Sequence, residues 1–254
     1  MSASRPVDLG VTIAGVRFPF CAMNVSGAWS ATTAELRDLA RSRTGAIVLK
    51  TATVHPFVHP EYRSLHNPGY AKLAGLVREL AAAAERPVIA SVAGTSAEEY
   101  VILARAFADA GAAMVEVNLG EPYVAATLAP LEEPGVLREL AKRLVEACAV
   151  PVAVRLPGVA HLPYRRLVED LGTARVPVVV AKNDFTGFEK MLLEAAGAFE
   201  VIAFGGITSG YDVSRALGKG AVAVQVDAVF TSEGPAIFAR LEREMRIARG
   251  QRSG

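Results

Sequence analysis

The residue order predicts an α/β fold, a (β/α)8 (TIM) barrel with an N-terminal β-hairpin, on three observations. Short apolar runs alternate with longer amphipathic stretches, there are eight such pairs, and 254 residues is the usual length of one such barrel. A doubly wound sheet, the other common way to bury parallel strands, usually has five or six of them. No linker, composition shift or low-complexity stretch divides the chain, so residues 1–254 are read as one domain.

Val7–Phe18 comes first and reads as a hairpin, with a turn at Gly10 and a second glycine at Gly15. The apolar runs that follow are Phe20–Asn24, Ala46–Lys50, Pro87–Ser91, Met114–Asn118, Pro151–Arg155, Pro177–Ala181, Glu200–Phe204 and Ala221–Gln225. Each is about five residues long and rich in valine, alanine and isoleucine, the pattern of strands buried on both faces. Between them lie helices with readable starts. Thr32-Thr33-Ala34-Glu35 and Ser96-Ala97-Glu98-Glu99 have the form of capping boxes, in which a hydroxyl and a later carboxylate satisfy exposed backbone N–H groups. Tyr100, Leu103, Ala104 and Phe107 form one apolar stripe, as do Leu137, Leu140 and Leu144, and Ile237, Leu241 and Met245. The sixth helix, Phe188–Ala196, is short and follows a glycine.

Composition excludes several classes. The 27 basic and 26 acidic residues leave a net charge of +1, which gives no general pull toward nucleic acid or anionic membrane. A hydrophobic fraction of 52% is incompatible with a disordered chain. Cys21 and Cys148 are too few for a disulfide framework or a structural zinc site. His55 and His59 stand four apart, but Pro56 and Pro60 argue against the helix that would pair them on a metal, and no metal is expected. His66 and His161 stand singly in loops, and Trp29 reads as packing. MSASRPVDLG lacks the layout of a signal peptide, and Phe18–Ala34, the longest uncharged run, is too polar for a membrane span. A cytoplasmic protein acting on a small molecule is expected; the sequence neither requires nor excludes a homodimer.

In a barrel the functional groups belong at the carboxyl ends of the strands. Polar residues there are Asn24 and Ser26, Lys50 and Thr51, Asn118, Arg155, Lys182 and Asn183, Gly205 and Gly206, and Gln225 with Asp227. The sharpest local signal is EVIAFGGITSG (Glu200–Gly210): a strand, two glycines, then Thr208 and Ser209 opening a helix. Glycines let a phosphate approach the backbone, and a helix start offers unpaired N–H groups.

These stretches resemble the soluble, FMN-dependent dihydroorotate dehydrogenases over nearly the whole chain. MNVSG (Met23–Gly27), AIVLKTAT (Ala46–Thr53), SVAGTSAEEY (Ser91–Tyr100), VEVNL (Val115–Leu119), PVAVRLP (Pro151–Pro157), FGGITSGYDV (Phe204–Val213) and EGPAIFARLEREM (Glu233–Met245) carry the likeness. It implies an FMN-dependent oxidoreductase of the kind used in pyrimidine biosynthesis, passing hydride from a small cyclic carboxylate to flavin. FMN would then be held by Ser26, Gly27, Lys50, Thr51, Asn118, Arg155, Gly205 and Gly206, with Asp227 and Ala228 at the second phosphate turn. Substrate would be held by Lys50, Asn118 and Asn183, and Lys50 and Glu121 would be the catalytic residues.

Four departures from the family pattern stand out. NLGEP puts Glu121 where the family has a cysteine or serine base, and a glutamate of ordinary pKa, about 4.3, is a weak one. Of the family's asparagine-rich substrate loop, only Asn67 and Gly69 align within Glu61–Gly69. Asp227-Ala228 replaces a glycine-threonine pair at the second phosphate turn, where a carboxylate would repel phosphate. Between Asn183 and Phe204 there is no room for the family's long glycine-rich excursion. The alternative reading is a barrel of this descent that has lost redox chemistry and binds a phosphorylated or anionic small molecule. NLGEP also resembles, more distantly, the tRNA dihydrouridine synthases. That family needs a cysteine at position 121 and an RNA-binding extension, and is set aside.

Overall fold

The computed structural model describes residues 8–27, 29–59, 61, 66–83, 86–120, 133–157, 164–183 and 197–251. Val7, Glu121, His161 and the expected helix Phe188–Ala196 lie outside them.

A two-stranded hairpin, β1 (Val11–Ile13) and β2 (Val16–Phe18), precedes the barrel. Its turn is Ala14-Gly15, both at positive φ (45° and 82°), the geometry that matches the twist of the flanking strands. Gly10 serves differently from expectation. It makes no turn of the hairpin, but a Cβ there would collide with the Arg17 guanidinium and sit 2.8 Å from the Phe18 carbonyl oxygen.

Eight parallel strands follow: β3 (Ala22–Asn24), β4 (Ile47–Val48), β5 (Val88–Val92), β6 (Met114–Asn118), β7 (Val152–Arg155), β8 (Val178–Lys182), β9 (Glu200–Phe204) and β10 (Ala223–Val226). They pair in the order β3-β10-β9-β8-β7-β6-β5-β4. Around them lie α1 (Thr33–Arg41), α2 (Tyr70–Ala83), α3 (Ala97–Asp109), α4 (Val136–Ala147), α5 (Tyr164–Thr173), α6 (Gly210–Gly218), α7 (Ala228–Glu233), a 3₁₀ turn (Gly234–Ala236) and α8 (Ile237–Gln251). Thr32 and Glu35 form the expected capping box on α1. At α3 only half of it forms: Ser96 accepts from the Glu99 N–H, but the Glu99 carboxylate turns to the N–H and hydroxyl of Thr95, at 2.6 and 2.9 Å.

The ring of strands has a seam. Between β3 and β4 there is no ladder, because β4 spends the N–H groups of Ile47 and Leu49 on the β5 side, and the Val48 N–H and C=O face β3. The Asn24 carboxamide takes both: Nδ2 donates to the Val48 carbonyl at 2.6 Å, and Oδ1 accepts from the Val48 N–H at 3.0 Å. One backbone bond, Gly45 N–H to the Ala22 carbonyl at 2.8 Å, supports it. Gly45 must be glycine, since a Cβ would overlap the Phe20 carbonyl oxygen.

Strand alternation divides the apolar residues into two cores. Outward residues such as Leu49, Val115 and Val179 pack under the helices. Inward residues Met23, Val48, Ile89, Met114, Val178 and Ile202 fill the barrel, and Ile13 and Phe18 of the hairpin join them from the amino-terminal end. There the Ala14 N–H donates to Glu200, the first residue of β9, at 2.6 Å.

Asn24→Ala leaves a fully buried N–H and C=O of Val48 without partners. At about 1–3 kcal/mol per orphaned group, urea titration should show a loss of roughly 2–5 kcal/mol. A loss below 0.5 kcal/mol, on the scale of a surface change, would mean that the seam is held by other means.

Candidate active site

Strand alternation also decides what lies above the apolar layer. Inward positions toward the carboxyl ends carry Lys50, Ser91, Glu116, Asn118, Arg155, Lys182 and Gln225, on the faces continued from Val48, Ile89, Met114, Ala153, Val180 and Ala223. Ser91, Glu116 and Gln225 are fully buried; Lys50 and Asn118 are 4% and 3% exposed.

A hydrogen-bonded band crosses the barrel here. Asn118 Nδ2 donates to Thr51 Oγ1 at 3.1 Å, and Thr51 meets Ser91 Oγ at 3.1 Å. Ser91 donates to Glu116 Oε1 at 3.1 Å, and Gln225 Nε2 donates to Glu116 Oε2 at 2.5 Å. Gln225 Oε1 accepts from the Arg155 guanidinium at 2.7 Å, and the guanidinium carbon lies over the Phe204 ring, 3.7 Å from its centre. Ser26 and Gly27 follow β3 in a loop tied to the same rim: Ser30 bonds both backbone groups of Gly27, and its carbonyl accepts from the Lys50 N–H at 2.8 Å.

Among the described residues, three side-chain atoms at this end of the barrel are buried without a partner: Ser26 Oγ, Asn67 Nδ2 and Asn183 Oδ1. The rest of the Asn67 amide is committed, its Oδ1 accepting from the Thr53 hydroxyl and the Gly69 N–H, both at 3.0 Å. Asn183 is 8% exposed at the end of β8, its N–H bonded to the Phe204 carbonyl at 2.6 Å. A buried polar atom without a partner is costly, and these three stand at one rim.

Several expectations change. Asn24, expected among the strand-end groups that meet a ligand, spends its amide on the seam. Gly205 and Gly206 do form the expected tight turn, at φ 84° and 68°, and the Gly206 and Ile207 N–H groups take no partner among the described residues. The helix start beyond is not open as expected. The Asp212 carboxylate accepts from the N–H and hydroxyl of both Thr208 and Ser209, at 2.8–3.1 Å, and Glu244 takes the Gly210 N–H at 2.7 Å. The signal was present as Ser209-x-x-Asp212, a capping box with aspartate at its third position. Asp227 likewise turns its carboxylate onto the Ala228 N–H and caps α7, so that N–H is not available to a phosphate. His59 accepts the Glu61 N–H on Nδ1, and the His59 carbonyl bonds His66 Nε2. Among the described residues no group of three His, Cys, Asp or Glu could hold a metal, and no helix is long and apolar enough to cross a membrane. Glu121, the expected base, lies outside the described residues.

Sequence reasoning passed over Ser91 and Glu116. The signal for Glu116 is an acidic residue inside an apolar strand, two positions before Asn118, which puts both on the inward face.

Fold and rim together define a (β/α)8 barrel of the ligand-binding class, its cations and amides gathered at the strand ends. Residues 8–198 match the family model for dihydroorotate dehydrogenase. A Streptococcus equi subsp. equi protein, provisionally named a dihydroorotate dehydrogenase A (fumarate), is 27% identical over 288 residues, covering 94% of this chain and 93% of the relative. The dihydroorotate dehydrogenase A (fumarate) of Lactococcus lactis subsp. lactis is 25% identical over 288 residues, covering 93% of each. Both alignments run longer than this chain, so the relatives carry segments that it lacks. The crystal structure of the Eimeria tenella enzyme in complex with ferulenol superposes with a TM-score of 0.82 at 14% identity, over 99% of this chain and 86% of that one, a likeness of fold. The chain belongs to the dihydroorotate dehydrogenase family, a family of oxidoreductases.

The carboxylates at the start of α6 make a pH prediction. Burial pushes the Asp212 carboxyl up, but its bonds from Thr208 and Ser209 outweigh this and hold it below the ordinary aspartate value. Glu244 is also lowered: burial raises it, and the Gly210 N–H and Arg240 more than offset that. Groups depressed on folding stabilise the fold above their unfolded pKa, about 4, and lose that contribution as pH falls through the folded values. Thermal melts should therefore show the wild type losing more stability than Asp212→Asn between pH 5 and pH 3. Parallel losses would remove Asp212 from the account.

Proposed function

We propose that the chain is an FMN-dependent oxidoreductase that takes hydride from a small cyclic carboxylate held at the rim of the barrel. The observation that carries this reading is the set of three buried atoms without a partner among the described residues, Ser26 Oγ, Asn67 Nδ2 and Asn183 Oδ1, at the end of the barrel that also carries the cations Lys50 and Arg155. Family membership supplies the chemistry to which that rim is matched.

The residues present fit FMN in three respects. Gly205 and Gly206 hold the left-handed conformation, and the backbone N–H groups of Gly206 and Ile207 have no partner among the described residues. Arg155 provides a fixed cation, which stabilises the negative charge of a reduced flavin when placed near its pyrimidine edge. Ser26, Lys50 and Asn118 supply further polar groups around the same rim, while Gly27 and Thr51, expected with them, act through the bonds that place the loop and the Asn118 amide. Asp227 and Ala228 fit less well, because the Asp227 carboxylate occupies the N–H that a phosphate would use.

When bound, FMN supplies a two-electron acceptor at the strand ends. The chain's own residues hold the substrate and move the proton. The Lys50 ammonium meets the substrate's carboxylate or carbonyl, and the Asn118 and Asn183 amides fix its ring by hydrogen bonds. Glu121, which follows β6 in the sequence, takes a proton from the carbon next to the hydride donor. Burying these groups at the rim keeps water from competing for their hydrogen bonds.

Dihydroorotate itself is expected to react slowly, because a glutamate stands in the base position and Asn67 stands nearly alone for the substrate loop. The test is anaerobic mixing of FMN-loaded protein with dihydroorotate and related cyclic carboxylates while flavin absorbance near 450 nm is followed. Bleaching is expected with at least one of them, slowed about 10²–10⁴-fold by Glu121→Gln. Arg155→Leu should weaken FMN binding at least about tenfold, the loss of one charged hydrogen bond. A purified protein that is colourless and cannot be reconstituted with FMN would overturn the proposal.

A further inference from the structure

We propose that Glu116 is a positioning residue whose buried carboxyl fixes the direction of two hydrogen-bonded arms, and so the orientations in which Asn118 and Arg155 face the rim. The arms follow from the contacts; their importance for flavin rests on the reading above.

Each oxygen of Glu116 accepts from a different neighbour, Oε1 from Ser91 and Oε2 from Gln225. A serine has one proton. With that proton given to Glu116, Ser91 can only accept in its 3.1 Å contact with Thr51. Thr51 therefore donates to Ser91 and turns a lone pair to Asn118 Nδ2. The Asn118 amide is set by this, with Oδ1 on the far side, where the Gly120 N–H meets it at 2.9 Å.

The second arm is as directional. Gln225 gives its NH₂ to the carboxyl, so its carbonyl oxygen is the atom that meets Arg155. Turning the amide over would set NH₂ against a guanidinium N–H at 2.7 Å and oxygen against a carboxyl oxygen at 2.5 Å, two repulsive contacts in place of two bonds. Arg155 is thus held over the Phe204 ring.

Packing does not call for a carboxyl at this place. The inward residues below it are apolar, Met114 and Ile89 among them, and a fully buried carboxyl is costly where a hydrocarbon would pack. Its two bonds reach, by one relay on one side and two on the other, the cation and the amide that the flavin reading needs. Nothing else in that reading uses Glu116.

Replacing the carboxyl by a carboxamide forces a choice, because one of its two acceptors becomes a donor. In Glu116→Gln either Gln225 turns and opposes Arg155, or Ser91 turns and gives its proton to Thr51, whose own proton then has no acceptor, so that the hydroxyl is no longer held in one direction toward Asn118. Two further variants cut one arm each: Gln225→Leu the Arg155 arm, Ser91→Ala the Asn118 arm. The full-length protein is labelled with ¹⁵N-arginine and ¹⁵N-asparagine without added flavin, and hydrogen exchange of the Arg155 guanidinium and Asn118 carboxamide is measured. Both should exchange slowly in the wild type. At least tenfold faster exchange is expected for one or both in Glu116→Gln, for Arg155 alone in Gln225→Leu, and for Asn118 alone in Ser91→Ala. Titration with FMN, read by quenching of its fluorescence, should show at least tenfold weaker binding to Glu116→Gln at a melting temperature close to the wild type's.

Unchanged exchange at both groups in Glu116→Gln, or single-arm variants that alter neither group or both alike, would overturn the proposal. If Glu116→Gln does not fold, the two single-arm variants decide by the same criterion. A wild type that binds no FMN would overturn the flavin reading, while the exchange measurements would still decide on Glu116.

Discussion

One carboxamide closes the barrel. Seven of the eight strand junctions are ordinary parallel ladders; at the eighth, Asn24 acts as a peptide group and answers both backbone groups of Val48. Gly45 lets the two strands approach closely enough for this. Lys50 stands two residues beyond Val48, and its N–H is bonded to Ser30, in the loop that also carries Ser26 and Gly27. Position along β4 and position of the loop after β3 are therefore set by one junction. A slip there would displace the cation and that loop together.

The repeating parts of the molecule were legible in the sequence. The strands Met114–Asn118 and Glu200–Phe204 occur with the boundaries their apolar runs imply, because each is paired on both sides and buried on both faces. The run Ala46–Lys50 shrinks to Ile47–Val48 because one of its edges meets a side chain instead of a strand. No pattern of hydrophobicity reports that. Asn24 shows the same limit from the other side: an asparagine at a strand end looks like a ligand group, and only the three-dimensional seam reveals what its amide is bonded to.

The site was legible as a location more than as an arrangement. Lys50, Asn118, Arg155 and Asn183 stand at the strand ends, as period and position required. What joins them was hidden, since Ser91, Glu116 and Gln225 come from strands far apart in sequence and meet only on the inner face. At α6 the reverse holds. The aspartate that occupies the helix start stands two residues beyond Glu200–Gly210, and the glycines of that stretch point to phosphate by themselves. A local motif states which groups are near one another, and not which of them are already bonded.

The hairpin has a further consequence. Ile13 and Phe18 lie beneath the inward layer of Met23, Val48, Ile89, Met114, Val178 and Ile202, so the polar band at the strand ends rests on an apolar floor two layers deep. A charge in that band has nothing polar below it to turn to. It is answered by its neighbours within the band or from the open side, and the amino-terminal ribbon thereby makes the band face one way.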